Sequence, residues 1–208
     1  MNIISEKVYK KIILDNYFHL KNIENICKDL NEPIEGNYFL EHETGKIQEH
    51  KLNKQINLFS LAQNSKNVLE IGFNAGHSCL LYLLANPNSK ILCFDICHHK
   101  YTIPCFEYLN KSFPNRLTLI SGDSNKTVPR YKNHQKYDLI HIDGNHKERY
   151  ANRDFINCYP HATKYIVWDD TQIKKLDNLL NKYIDKKLVY EIKMLPTVNN
   201  CHRIVHVN

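Results

Sequence analysis

The chain lacks any apolar run near the roughly 20 residues that a helix needs to cross a bilayer, so no membrane partner is expected. The first stretch, MNIISEKVYKKIILDNYF, has no signal-peptide h-region, and Glu6 and Asp15 within it argue against a transit peptide. A cytoplasmic location is the expectation, that of the host if the heavy use of Asn, Ile and Lys reflects a viral source. No paired C-x-x-C occurs. The seven cysteines (Cys27, Cys79, Cys93, Cys97, Cys105, Cys158, Cys201) are odd in number and scattered, which reads as free thiols and not a disulfide framework. The densest group, CFDICHHKYTIPC, is a poor zinc site because Cys93 falls within a strand-like run. A long basic run is also missing. The net charge of +6 comes from lysines interleaved with acids, without an aromatic RNA-binding signature, which argues for a solvated surface and against nucleic acid. There is no internal repeat.

What is present is ordinary in bulk and specific in pattern. At 208 residues, with 42% hydrophobic and 24% charged residues, the chain suits one soluble domain with a two-sided core. Ile4, Val8, Ile12, Tyr17, Leu20, Ile23, Cys27 and Leu30 recur at near-helical spacing, predicting one or two amphipathic helices over 3–30. Residues 31–46, with Pro33, Gly36 and Gly45, read as a loop, and a third helix is expected over 47–63. This divides the chain into an N-terminal part, 1–46, and a main domain, 47–208, within a single structural unit.

From residue 67 the rhythm changes. NVLEIG (67–72), KILCFD (90–95), LTLIS (117–121), YDLIHID (137–143) and YIVWDD (165–170) are short apolar runs. Helix-length stretches at 77–85, 104–112, 147–158 and 173–184 separate or follow them. Such alternation predicts a parallel sheet covered on both faces, an α/β doubly wound fold. LVYEIKML and HRIVHV then add two strands with no helix between them, an antiparallel hairpin at one edge. In such sheets ligands lie beyond the carboxyl ends of the strands. Six acids, Glu70, Asp95, Asp123, Asp143, Asp169 and Asp170, fall there, which points to a site.

VLEIGFNAGHS (68–78) reads as strand, turn and helix start, with Gly72 and Gly76 permitting a tight turn. A dinucleotide fingerprint would need another glycine where Asn74 stands. Asn tolerates the left-handed conformation, so the turn survives while a pyrophosphate has less room. Glu70 would repel that pyrophosphate but suits a cofactor carrying an ammonium group. Asp95 can take two ribose hydroxyls, and Gly122-Asp123-Ser124 can hold a base edge.

The order E-x-G-x-x-x-G-x-S, ribose-binding acid, G-D-S resembles the class I S-adenosylmethionine-dependent methyltransferases over roughly residues 47–207. The resemblance implies a Rossmann-like, mostly parallel seven-stranded sheet with an N-terminal helical cap. Asn74 and Ser78 place it nearer the catechol O-methyltransferase-like branch. Carried over, Glu70, Gly72 and Ser78 face the methionine end, Asp95 the ribose, and Asp123 and Ser124 the adenine. Asp143, Asp169 and Asp170 end neighbouring strands, and three crowded carboxylates resist ionisation unless a cation joins them. All-oxygen ligands favour a hard divalent ion, Mg²⁺ or Mn²⁺. DGNH followed by DD is similar to the macrocin and mycinamicin sugar O-methyltransferases, which implies a metal on those three acids.

His146, three residues past Asp143, sits where that branch has a histidine, and a neutral imidazole can accept a proton from a metal-acidified hydroxyl. The expected activity is O-methylation of a sugar or other small molecule, with residues 31–50, including Tyr38, Phe39 and His42, as a lid and a homo-oligomer allowed. Blander readings remain: one of Asp169 and Asp170 caps the following helix, and His146 only holds its loop. An RNA methyltransferase and a non-catalytic nucleotide-binding module also stay open.

Overall fold

The structure, a computed structural model, describes residues 2–36, 48–133 and 135–208. The expected lid residues Tyr38, Phe39 and His42 lie outside the described residues. Two N-terminal helices, α1 (Glu6–Asp15) and α2 (Tyr17–Asp29), precede α3 (Leu52–Gln63). Then β1 (Asn67–Ile71), α4 (His77–Ala85), β2 (Lys90–Asp95), α5 (Thr102–Ser112), β3 (Leu117–Ser121), α6 (Ser124–Arg130) and β4 (Tyr137–Ile142) alternate. The chain closes with α7 (Glu148–Cys158), β5 (Ala162–Asp169), α8 (Lys174–Asp185), β6 (Val189–Ile192) and β7 (His202–Val207). No helix among the described residues is long and apolar enough to cross a membrane.

The sheet order is β3-β2-β1-β4-β5-β7-β6, with β1 to β5 parallel and β7 antiparallel to both β5 and β6. The strand order reverses between β1 and β4, and the crevice at such a switch point is where ligands bind. Each strand alternates its side chains between two layers. Val68, Ile91, Leu139, Val167 and Ile204 pack into one core with residues of α1 to α5. Leu69, Leu92, Ile140, Ile166 and Val205 pack into the other with α6, α7 and α8.

This phase decides where the polar residues go. Glu70 follows Val68 by two, His141 follows Leu139, Asp169 follows Val167, and His202 precedes Ile204. All four therefore face α3 and α4. The register sets Glu70 beside Cys93 and His141, and Asp169 beside His202. A row of buried polar groups thus crosses the middle of an otherwise apolar layer.

Three features differ from expectation. The seven-residue α6 was not anticipated: Pro129 sits inside it and the segment is too short to show a period. Strand β5 starts at Ala162, three residues before the apolar run that marks it, because its first half is an exposed extension. Asp170, expected to end β5, lies beyond it with φ 54°, in the left-handed region. All seven cysteines are free, as expected.

Candidate active site

The turn after β1 is built for close approach. Gly72 has φ 97°, and a Cβ there would lie 2.1 Å from the carbonyl oxygen of Asp143. Only glycine lets the β1 and β4 ends come this near. Gly76 (φ 84°) precedes α4, and Phe73 and Leu109 fill the space its side chain would need. Asn74 adopts φ 54°. Its side chain fixes the loop, accepting from the Tyr101 hydroxyl at 2.7 Å and donating to the Glu35 carbonyl at 2.9 Å.

The Asn74 amide donates to Asp95 Oδ2 (2.8 Å), and the Cys97 amide donates to Oδ1 (2.6 Å). A carboxylate offers about four lone-pair sites, so Asp95 keeps acceptor capacity for hydroxyls. Gly122, with φ 130°, donates its amide to the Asp95 carbonyl at 2.7 Å and brings β3 beside this loop. Asp123 caps α6 by accepting from the Asn125 amide (3.1 Å). Ser124 donates to Asp154 Oδ1 at 2.7 Å. Asp154 is fully buried on α7, its Oδ2 has no hydrogen-bond partner, and burial pushes its carboxyl up to about 6.

Glu70 is wholly buried. Its Oε1 lies 3.0 Å from His141 Nδ1, and its Oε2 accepts from the Cys79 thiol at 2.8 Å. Its carboxylate is thus engaged beneath α4 and does not line the cleft described below. His141 Nδ1 is also 2.8 Å from the Tyr82 hydroxyl. Burial alone would push the imidazole down, but Asp169 and Glu70 outweigh it and carry His141 up to about 10. Asp169, 3% exposed, is ion-paired with Lys54 of α3 and lies 3.7 Å from His141 Nε2. Burial opposes its charge, yet Lys54 and His141 hold its carboxyl well below the usual range. Burial and the Asp169 charge push Asp143 well up.

Three acids, Glu70, Asp143 and Asp169, thus meet Lys54 and His141 in one buried group. Asp169 holds Lys54 and Glu70 contacts His141, while Asp143 is the acid that burial and the Asp169 charge push toward its neutral form. It is half-buried, and it faces a cleft lined also by Lys54, Gln55, Gly72, Asn74 and Ser78. A cationic ligand in that cleft would draw Asp143 back toward its charged form.

Asp170 does not join this group. Asp170 lies beyond the end of β5, where its left-handed backbone turns the chain out of the strand. It pairs with His146 Nδ1 and accepts from Gln172 Nε2 at 2.8 Å. The His146 side chain is 57% exposed. Its pKa is raised above the ordinary value, chiefly by the bond to Asp170, and His146 helps hold Asp170 down against burial.

The expected metal set is therefore split. Among the described residues, the ligand atoms of His141, Asp143 and Asp169 lie within 4.8 Å of one another, and so do those of Glu70, Cys79 and Cys93; Asp170 belongs to neither group. A hard divalent ion is held by free carboxylate oxygens, with waters filling its remaining places. Here Asp169 already holds Lys54, and Asp170 is held by His146. The residues as arranged do not fit Mg²⁺ or Mn²⁺. The CFDICHHKYTIPC group is likewise dispersed: Cys93 faces Glu70, Cys105 meets Cys27, and His99 Nδ1 is 2.8 Å from Glu32.

Lys54, His141, His202 and Asp154 were missed by sequence reading. His141 and Asp154 interrupt apolar patterns, a signal available in principle. Lys54 lies in a helix whose polar residues Lys54, Gln55, Asn57 and Ser60 are all buried and form no stripe.

Residues 69–171 match the family model described as a methyltransferase domain. No individual curated protein matches the chain in sequence. Among solved structures, the O-methyltransferase from Bacillus cereus, in complex with S-adenosylhomocysteine, superposes with a TM-score of 0.67 at 12% identity, covering 91% of this chain and 90% of that one. An O-methyltransferase of Streptomyces achromogenes involved in tomaymycin synthesis, in complex with S-adenosylmethionine, gives 0.68 at 11% identity over 91% and 89%. An N-methyltransferase of Bradyrhizobium japonicum gives 0.59 at 11% identity over 88% and 98%. The domain match, the sheet order and the Gly72 turn together define a class I S-adenosylmethionine-dependent methyltransferase, and the chain is an enzyme of that family.

Proposed function

We propose that the chain binds S-adenosylmethionine between the β1, β2 and β4 ends and methylates a hydroxyl of a sugar or other small molecule. The observation that carries this reading is the half-buried Asp143 at the Gly72 cleft, followed three residues later by a carboxylate-held imidazole, His146 paired with Asp170. An acid that a neighbouring cation would draw into its charged form suits the cationic methionine end. Gly72, Asn74 and Ser78 would line that end, Asp95 would receive the ribose hydroxyls, and Gly122 with Asp123 would meet the adenine. Ser124 would support this edge through Asp154.

When bound, the cofactor supplies an electrophilic methyl group on sulfur. The residues of this chain supply a base. Asp170 holds His146 at Nδ1, fixing the tautomer so that Nε2 is the proton acceptor, and a carboxylate in that position stabilises the imidazolium that forms. A hydroxyl needs such a base because its proton leaves as the new bond forms. Neighbours acting on oxygen and on nitrogen share the fold, so the fold does not choose the acceptor atom. The dyad favours a hydroxyl, whose proton must be lost.

The deciding experiment follows methyl transfer from labelled S-adenosylmethionine to parallel panels of diols, catechols, sugar nucleotides and amines. Transfer to a hydroxyl panel, lost in His146→Ala, is expected. Transfer confined to amines, or calorimetric binding of NAD with no response to S-adenosylmethionine, would sink the reading.

A further inference from the structure

We propose that Lys54 is the built-in cation of this reaction centre, standing among the acids expected to hold a divalent ion, so that catalysis by this chain is metal-independent. Lys54 enters from α3 and is 5% exposed, ion-paired with Asp169 and lining the same cleft as Asp143. Its charge also acts on Asp143. The helix that carries it is pinned on both sides. Gln55 accepts from the Tyr9 hydroxyl at 2.8 Å, while Asn57 donates to the Leu195 carbonyl at 2.9 Å and lies 3.1 Å from His202 Nε2. The ammonium is therefore delivered to the strand ends by the fold.

Two further facts exclude a shared role with a metal. Asp170, the acid that would complete a three-carboxylate set, is turned away on a left-handed residue and held by His146. The proton of the acceptor goes to the His146–Asp170 pair, so no Lewis acid is required for it.

This inference takes its meaning from the methyl-transfer reading, but its test reads ion binding without turnover. Mn²⁺ is titrated into the whole protein and followed by electron paramagnetic resonance. Wild type should bind no Mn²⁺ more tightly than about 1 mM. Lys54→Ala, which exposes Asp143 and Asp169, should tighten Mn²⁺ at least about tenfold, and adding Asp169→Asn should remove the gain. Wild-type binding that Asp143→Asn abolishes would overturn the proposal, as would turnover lost to chelator and restored by Mn²⁺. If Lys54→Ala does not fold, the wild-type titration decides alone. Absence of S-adenosylmethionine binding would fail the methyl-transfer reading while leaving the Mn²⁺ result interpretable.

Discussion

Asp169 and Asp170 are neighbours in sequence, and each is paired with a cation, yet they inhabit opposite environments. Asp169 lies under α3 with Lys54 and His141, nearly sealed from solvent; Asp170 holds a histidine whose side chain is more than half exposed. The buried pair cannot exchange its proton without leaving a bare charge in the core. The exposed pair can give and take protons with bulk water. The same chemistry thus serves fixed electrostatics at one residue and proton transfer at the next, and the end of β5 with the left-handed turn at Asp170 is what separates them.

Breaking the buried side should have the largest effect. Asp169→Asn keeps the shape but leaves Lys54 without its acid and His141 with Glu70 alone. Removing one partner of a buried ion pair costs about 3–5 kcal/mol. For a chain of this size that corresponds to a fall in Tm of about 10 °C, measurable by calorimetry. A variant melting within a degree or two of wild type would show that water reaches the pair.

The exposed side should respond in the opposite manner. His146→Ala removes the base and should lower turnover by about 10²–10⁴-fold. Its stability should change by less than about 1 kcal/mol, because the pair it breaks is screened by solvent. S-adenosylmethionine binding, followed by calorimetry, should survive. Near-normal turnover in this variant would leave His146 as a loop residue only.

These contrasts explain what could be read from the sequence. Strands β1 to β5 were legible because burial on both faces makes them continuous apolar runs, and the Gly72 turn because glycine and asparagine mark left-handed backbone. The acids at the strand ends were legible as a group. Their partition was not, since adjacency in sequence suggested that Asp169 and Asp170 converge, and the left-handed turn at Asp170 has no residue signal of its own. Lys54 was illegible for a different reason. Its role depends on α3 covering the sheet at one register, a long-range fact that helical periodicity does not carry.

The finest test of the comparison is a displacement along the pH axis. Only neutral His146 accepts a proton, so the rate should rise with pH and level off above the residue's pKa. The Asp170 bond raises that pKa, and the wild-type midpoint should therefore lie above the ordinary value of about 6.5. The sign for stability is the reverse. A histidine whose folded pKa is raised contributes below its unfolded pKa and loses that contribution as pH rises through the folded value. The exposed pair thus stabilises the protonated, inactive form, by less than about 1 kcal/mol. Asp170→Asn removes the raising partner, so the midpoint should move down while the plateau rate falls as the imidazole loses its orientation. Asp169→Asn, assayed at a temperature where it stays folded, should move the midpoint far less, because Asp169 reaches His146 only through space. Equal displacements in the two variants would mean that the buried and exposed acids titrate as one system, and the separation drawn at the end of β5 would fail.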